Sequence, residues 1–193
     1  MSSTASDEMS RDIGLNQGVH LAYVFSNSAE KQSRLFRFCE NAVNVSRCYL
    51  LYIAGKQGVK GIRLSLKDVR FNVAYYERAR QLRIVDSDEW FLESGRQKSN
   101  FKTNELLTNQ LDLVISEARA AGYPFVTVIS ETDSLVRKGF YSDYSEYDLF
   151  LENQLRKSPA AFVCAFDRRE MEAAGIGDIN EALSKSHSEV VIG

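Results

Sequence analysis

Apolar and polar positions follow one another along this chain in a recurring order. A short run of β-branched and aromatic residues is followed by a turn, then by apolar residues spaced three and four apart. The clearest unit lies between Gly122 and Glu170. There, Phe125-Val-Thr-Val-Ile-Ser-Glu131 and Ala161-Phe-Val-Cys-Ala-Phe-Asp167 each close on an acid, and Tyr144 to Lys157 between them has helical spacing. Strand, crossover helix, strand is the unit of a parallel sheet. Upstream, His20-Leu-Ala-Tyr-Val-Phe25 predicts a first strand. Asn27 or Ser28 caps a helix from about Ala29 to Val43, with Leu35, Phe36, Phe38, Cys39 and Ala42 as its stripe. Cys48 to Ala54 is continuously apolar, as in a strand covered on both faces. Ser65 to Gln81 predicts one helix capped by Ser65. Arg83-Ile-Val-Asp86 predicts a short strand, and Ser87 to Ser99 a loop pinned by Trp90. Thr103 to Ala120 is the clearest helix, stopped by Gly122. Met171 to Gly177 reads as a turn or short helix, Asp178 to Ser186 as a capped helix, and Glu189 to Gly193 as a last strand or tail. Met1 to Gln17 has little apolar content and reads as a flexible tail, leaving 18–193 as a single domain. The expected fold is a three-layer α/β domain, with a mainly parallel sheet and helices on both faces.

Composition narrows the function. A chain of 193 residues suits one domain with a sizeable core. A formal net charge of -2, with both signs mixed along the chain, gives no bulk electrostatic case for nucleic acid or an acidic membrane. No apolar run approaches the roughly 20 residues of a membrane span. The N-terminus has no basic segment followed by an apolar one, so it does not read as a secretory signal. Cys39, Cys48 and Cys164 are an odd set inside apolar stretches, the pattern of reduced, buried thiols in a cytoplasmic protein.

The candidate chemistry gathers at strand ends. Glu131 and Asp167 fall where open α/β sheets bind ligands, at the carboxyl edge. A carboxylate ending a buried strand needs a partner, so Glu131 grips a ligand, pairs with Arg168 or Arg169, or does both. Asp167 has the place of a magnesium-orienting acid, but with no phosphate loop to partner it, capping the following turn is the stronger reading. Gly55-Lys-Gln-Gly-Val-Lys-Gly61 has glycines and lysines that suit an anion. It lacks the second glycine, lysine and hydroxyl residue at phosphate-loop spacing, so it reads as a surface turn. Tyr144 and Tyr147 concentrate aromatic hydroxyls that suit a pocket or an interface, although Tyr147 also fits the core with Phe150 and Leu151. His20 and His187 are the only histidines. With Cys164 they have the right chemistry for zinc, but their separation in sequence supports scaffold roles, and no metal is expected. No catalytic elbow or Cys–His signature occurs, so neither enzymatic activity nor a cofactor is expected.

Several local patterns recur in a fixed order. His20 is followed by Phe25 and Glu30. Then come Arg47-Cys48-Tyr49-Leu50-Leu51-Tyr52-Ile53, Ala121-Gly122-Tyr123, the Val128-to-Glu131 strand end, Tyr147-Asp148, Cys164-Ala-Phe-Asp167-Arg168, and Ala182-Leu183 before His187. Jointly these resemble the MEDS family of methanogen and methylotroph sensory domains, over about His20 to Gly193. The resemblance implies a cytoplasmic prokaryotic sensory domain with a degenerate RecA/KaiC-like fold that lacks a working phosphate loop. It also implies a small-molecule ligand, hydrocarbon derivatives among those proposed, and frequent fusion to a DNA-binding or kinase-type output domain. The positions carried over are His20, Glu30, Tyr52, Glu131, Tyr147, Asp167, Arg168 and His187. The chain departs from the family pattern at Asn41-Ala42, at Ser46, and at Asp148, where a glutamate is usual. It reads as one domain with a short tail and no output domain. The combined expectation is a non-enzymatic sensory domain that binds a small ligand at the carboxyl edge. Glu131, Asp167, Arg168, Tyr144, Tyr147, His20 and His187 are its candidate site, and it signals by association with itself or a protein partner. The alternatives are a nucleotide-binding domain using Gly55 to Gly61 and a structural interaction module with a vestigial pocket.

Overall fold

The structure is a computed structural model that describes residues 17–45, 47–93 and 99–193. The expected tail, Met1 to Gln17, lies outside the described residues except for Gln17 itself. Strand β1 is His20–Phe25, followed by helix α1, Ser28–Glu40. The side chain of Asn27 accepts from Glu30 N, and the carboxylate of Glu30 accepts from Ser26 N at 2.8 Å, so the entry to α1 is closed on both sides. A π-helical turn, Asn41–Val45, leads to β2, Tyr49–Ala54.

The single helix expected over Ser65 to Gln81 is two. Helix α2 spans Gly58–Asp68 and α3 spans Val73–Arg78. The chain breaks where Arg70 takes a left-handed backbone, φ 64, and Phe71 turns into the core; Asn72 then caps α3. Ser65 lies inside α2, not at its start. Strand β3 is Leu82–Asp86 and α4 is Ser87–Phe91. The segment expected as a pinned loop thus begins as a short helix capped by Asp86, with Trp90 buried as its anchor. A two-residue antiparallel pair follows, β4 (Leu92–Glu93) with β5 (Asn100–Phe101). Helix α5 is Asn104–Ala120, β6 is Val126–Glu131, α6 is Asp133–Arg137 and α7 is Tyr141–Leu155. The chain ends with β7 (Ala160–Asp167), α8 (Arg168–Ala173), α9 (Ile179–Ser184) and β8 (Glu189–Ile192).

Six strands form one sheet in the order β3-β2-β6-β7-β1-β8, and every neighbouring pair is parallel. Strands β1, β2 and β6 are buried along their whole length, which explains the continuously apolar run of β2; β6 carries Thr127, Ser130 and Glu131 among its buried positions. Two cores result. Leu35, Phe36, Cys39, Ile62 and Leu66 cover one face of the sheet, and Leu107, Leu111, Val114, Leu151, Met171 and Leu183 cover the other. The expected three-layer architecture is therefore present. Among the described residues no helix is long and apolar enough to cross a membrane.

Local caps contribute measurably. Thr103 Oγ1 accepts from Leu106 N at 3.3 Å. Thr103→Ala is predicted to lower stability by about 1 kcal/mol. Urea denaturation reads this as a lower midpoint at unchanged slope, and an unchanged midpoint would rule the cap out as a contributor.

Candidate functional site

The carboxyl ends of the parallel strands carry a dense set of charged groups. β1 hands the chain to α1 on one face, while its neighbour β7 hands it to α8 on the other. The connections diverge there and leave a crevice, the usual ligand position in open α/β sheets. This crevice is a cleft of about 180 Å³, lined among others by Ser26, Asn27, Lys31, Lys56, Asp167 and Arg169.

Glu131 lies beneath it, fully buried. Its Oε1 is 2.8 Å from Lys31 Nζ and accepts from Tyr52 Oη; its Oε2 accepts from Gly55 N at 3.2 Å. Burial pushes the Glu131 carboxyl above its usual range, and the Lys31 ammonium opposes that shift. Lys31 Nζ also donates to Gln57 Oε1 at 3.3 Å. Nearer the surface, Lys56 Nζ is 3.0 Å from Asp167 Oδ2 and 3.3 Å from Glu170 Oε1, and Arg137 lies 2.6 Å from the same Glu170 oxygen. Asp167 also caps α8 by accepting from Arg169 N, as the sequence suggested. The partner of Glu131 is Lys31 and neither arginine. Arg168 instead donates to Gly193 O at 3.5 Å, and the guanidinium of Arg169 has no hydrogen-bond or ion-pair partner among the described residues.

The same geometry bears on the stretch Gly55 to Gly61. A phosphate there would need free backbone amides. The amides of Gly55 and Lys56 donate to Glu131 Oε2 and to Asp133 Oδ1 at 3.0 Å, and from Gly58 onward the chain is helix α2. A Cβ on Gly55 would stand 1.8 Å from Asp133 Oδ1. The protein's own carboxylates therefore occupy the positions an incoming anion would take.

The remaining candidates form a second group, away from this cleft. His20 opens β1, Cys164 lies mid-way along β7, Tyr144, Tyr147 and Asp148 lie on α7, and His187 lies between α9 and β8. All six are buried between the sheet and α7. His20 Nε2 is 3.1 Å from Asp148 Oδ1, and His187 Nε2 is 3.0 Å from Asp148 Oδ2. Tyr144 Oη donates to Cys164 Sγ at 3.1 Å. Burial opposes ionisation of Asp148, while hydrogen bonding and positive charge from the direction of His187 and His20 hold its carboxyl well below the usual carboxylate range. Tyr147 packs inward, and its hydroxyl has no hydrogen-bond partner among the described residues. The seven sequence candidates thus divide into Glu131, Asp167 and Arg168 at the carboxyl edge, and His20, His187, Tyr144 and Tyr147 in the core. Sequence reasoning missed Lys31, which lies outside the apolar stripe expected for α1, and gave Asp148 no role beyond a departure from the family pattern.

The chain matches the model of the MEDS domain (MEthanogen/methylotroph, DcmR Sensory domain) over residues 19–182. It belongs to the MEDS family. The MEDS match assigns it a sensory role and covers almost all of the described sheet. A search of curated proteins finds no match. Among solved structures the chain is similar to a KaiC-like protein from the hyperthermophilic archaeon Pyrococcus horikoshii OT3, with a TM-score of 0.56 and 11% identity. That likeness covers 78% of this chain and 62% of the archaeal protein, so the MEDS chain spans less than two thirds of its length. At this identity the likeness shows the fold alone, and the fold is RecA/KaiC-like.

Proposed function

We propose that this MEDS domain is a non-catalytic, cytoplasmic sensor that holds a small ligand bearing a negatively charged group. The ligand sits in the cleft between the β1–α1 and β7–α8 connections, and the bound state is passed on by association with a second copy or a protein partner. The observation that carries this reading is the exposed, unpartnered Arg169 guanidinium on the rim of a cleft that also receives Lys31, Lys56 and the start of α1. Glu131 lies too deep to touch the ligand; it positions Lys31 from below. A nucleotide reading has less support, because the amides at Gly55 and Lys56 already have carboxylate partners.

Native mass spectrometry of gently purified protein, set against its denatured mass, tests the proposal. The expected result is an added organic mass lost on denaturation. Arg169→Ala is predicted to reduce its occupancy at least about tenfold, the loss of one charge-assisted contact, with the thermal midpoint unchanged. An added mass retained equally by wild type and Arg169→Ala would overturn the assignment to this cleft.

A further inference from the structure

His20, Asp148, Cys164 and His187 each aim one donor atom at a common point, and these four atoms all lie within 4.8 Å of one another. Besides the two contacts to Asp148, Cys164 Sγ is 3.4 Å from His20 Nε2 and 3.5 Å from Asp148 Oδ1. All four residues are buried, on three separate segments of secondary structure and the turn before β8.

The far side of each imidazole fixes what the near side can be. His20 Nδ1 faces Glu152 Oε2 at 3.2 Å, and His187 Nδ1 faces the carbonyl oxygen of Leu183 at 2.9 Å. Both are acceptors, so each Nδ1 carries the proton and each Nε2 of a neutral ring presents a bare lone pair. Those lone pairs converge on a carboxylate, which has only lone pairs to offer in return. Ser186 Oγ donates to Asp148 Oδ2 at 3.1 Å, and the Cys164 thiol lies within reach of His20 Nε2, but His187 Nε2 and Asp148 Oδ2, 3.0 Å apart, still need a proton or a cation between them. Two observations favour the cation. The ring centroids are 4.3 Å apart at an interplanar angle of 35°, a poor arrangement for two buried imidazolium ions. His187 Nε2, 3.0 Å from Asp148 Oδ2, is a buried polar atom with no hydrogen-bond partner among the described residues.

We propose that His20, Asp148, Cys164 and His187 bind a divalent transition-metal ion, with zinc as the ion that suits them. Two imidazole nitrogens, a carboxylate oxygen and a thiolate sulfur are a zinc donor set. A tetrahedron with bonds of about 2.0–2.3 Å has edges of about 3.3–3.8 Å; the contacts to Asp148 and Cys164 run from 3.0 to 3.5 Å, and no pair of the four donor atoms is more than 4.8 Å apart. Binding forms the metal–sulfur bond and releases the thiol proton to solvent. Glu152 and the Leu183 carbonyl hold the two rings in the metal-binding tautomer, as carboxylate and carbonyl partners of metal-bound histidines do. Tyr144 Oη, donating to Cys164 Sγ, supports the thiolate. With four protein donors the site is closed, and the ion ties β1, α7, β7 and the approach to β8 together.

The test uses Co²⁺ as the probe. Because the donors are buried, the chain is unfolded with a chelator and refolded with one equivalent of Co²⁺. One cobalt per chain is expected, with the visible bands of a tetrahedral ion and a thiolate-to-cobalt charge-transfer band, both lost when zinc displaces it. Cys164→Ala is expected to abolish the charge-transfer band even though Cys39 and Cys48 remain. Glu152→Gln should keep the spectrum and weaken binding about 10–100-fold. If Cys164→Ala does not refold, competition between wild-type protein and a chromophoric chelator decides. Wild type that refolds to its native circular dichroism without taking up cobalt, or a charge-transfer band unchanged in Cys164→Ala, would overturn the proposal.

Discussion

Glu131→Gln lowers the stability of this domain by about 3–5 kcal/mol, the cost of leaving one member of a buried ion pair without its partner. The stranded group is Lys31. Its ammonium is 2.8 Å from Glu131 Oε1, and the two side chains are 6% and 0% exposed. Once the carboxylate is gone, Gln57 Oε1 at 3.3 Å is the only other hydrogen-bond acceptor Lys31 has among the described residues. Glutamine keeps the volume and one acceptor oxygen for Tyr52, while its amide nitrogen faces Gly55 N, so the loss combines the stranded ammonium with one lost backbone acceptor. Lys31→Met in the Glu131→Gln background should recover much of it, because no buried ammonium then remains. Urea denaturation of the four proteins in the cycle measures the coupling. A loss in Glu131→Gln below about 1 kcal/mol, or additive single variants, would mean that Lys31 reaches solvent and the pair is not buried.

The second large effect comes with alkali. Cys39 and Tyr52 are both fully buried in the layer between α1 and the sheet, and burial pushes both groups above their ordinary values of 9.0 and 10.0. A group whose folded value is raised contributes stability that is fully present below its unfolded value and is lost as pH rises beyond it. Here the unfolded chain ionises first, and each group costs about 1.4 kcal/mol per pH unit once its ordinary value is passed. By pH 11 the thiol is two units past and the phenol one. Together they remove about 4 kcal/mol, a large share of the stability of about 5–15 kcal/mol usual for a domain. Urea midpoints at pH 8, 10 and 11 should fall accordingly, and Cys39→Ala should flatten the portion that begins near pH 9. A midpoint constant from pH 8 to 11 would show that these groups ionise equally well in the folded protein.

The two clusters divide the work of the domain. At the carboxyl edge, three loops meet around a cleft with the buried pair Lys31 and Glu131 beneath it and the exposed Arg169 on its rim. In the core beneath α7, Asp148 joins His20 and His187 across segments far apart in sequence. His187 lies just before β8, which pairs with β1, the strand whose end lines the cleft.

The sequence by itself determined the layer order and most elements. Strands buried on both faces read as nearly continuous apolar runs, as β2 and β7 do, while β1 and β6 are buried with a polar residue at an end or inside them. Helices that bury one stripe must repeat at three and four, and α1, α5 and α7 do. Caps at Asn27, Thr103, Asp167 and Asp178 were also legible, because a cap is a local bond between residues two or three apart. The break at Arg70 was not, since it depends on Phe71 turning into a core that α1 and β3 help build. The site was legible only as a place. Parallel strands ending in Glu131 and Asp167 marked the edge, but which cation meets which acid was decided by tertiary structure. Lys31 reaches Glu131 across 100 positions of sequence because α1 packs over β2 and β6. His20, Cys164 and His187 converge for the same reason: β1 pairs with both β7 and β8, so the first strand and the last residues become neighbours. Spacing along the chain holds no record of that meeting, because sheet order, not sequence order, sets which side chains face one another.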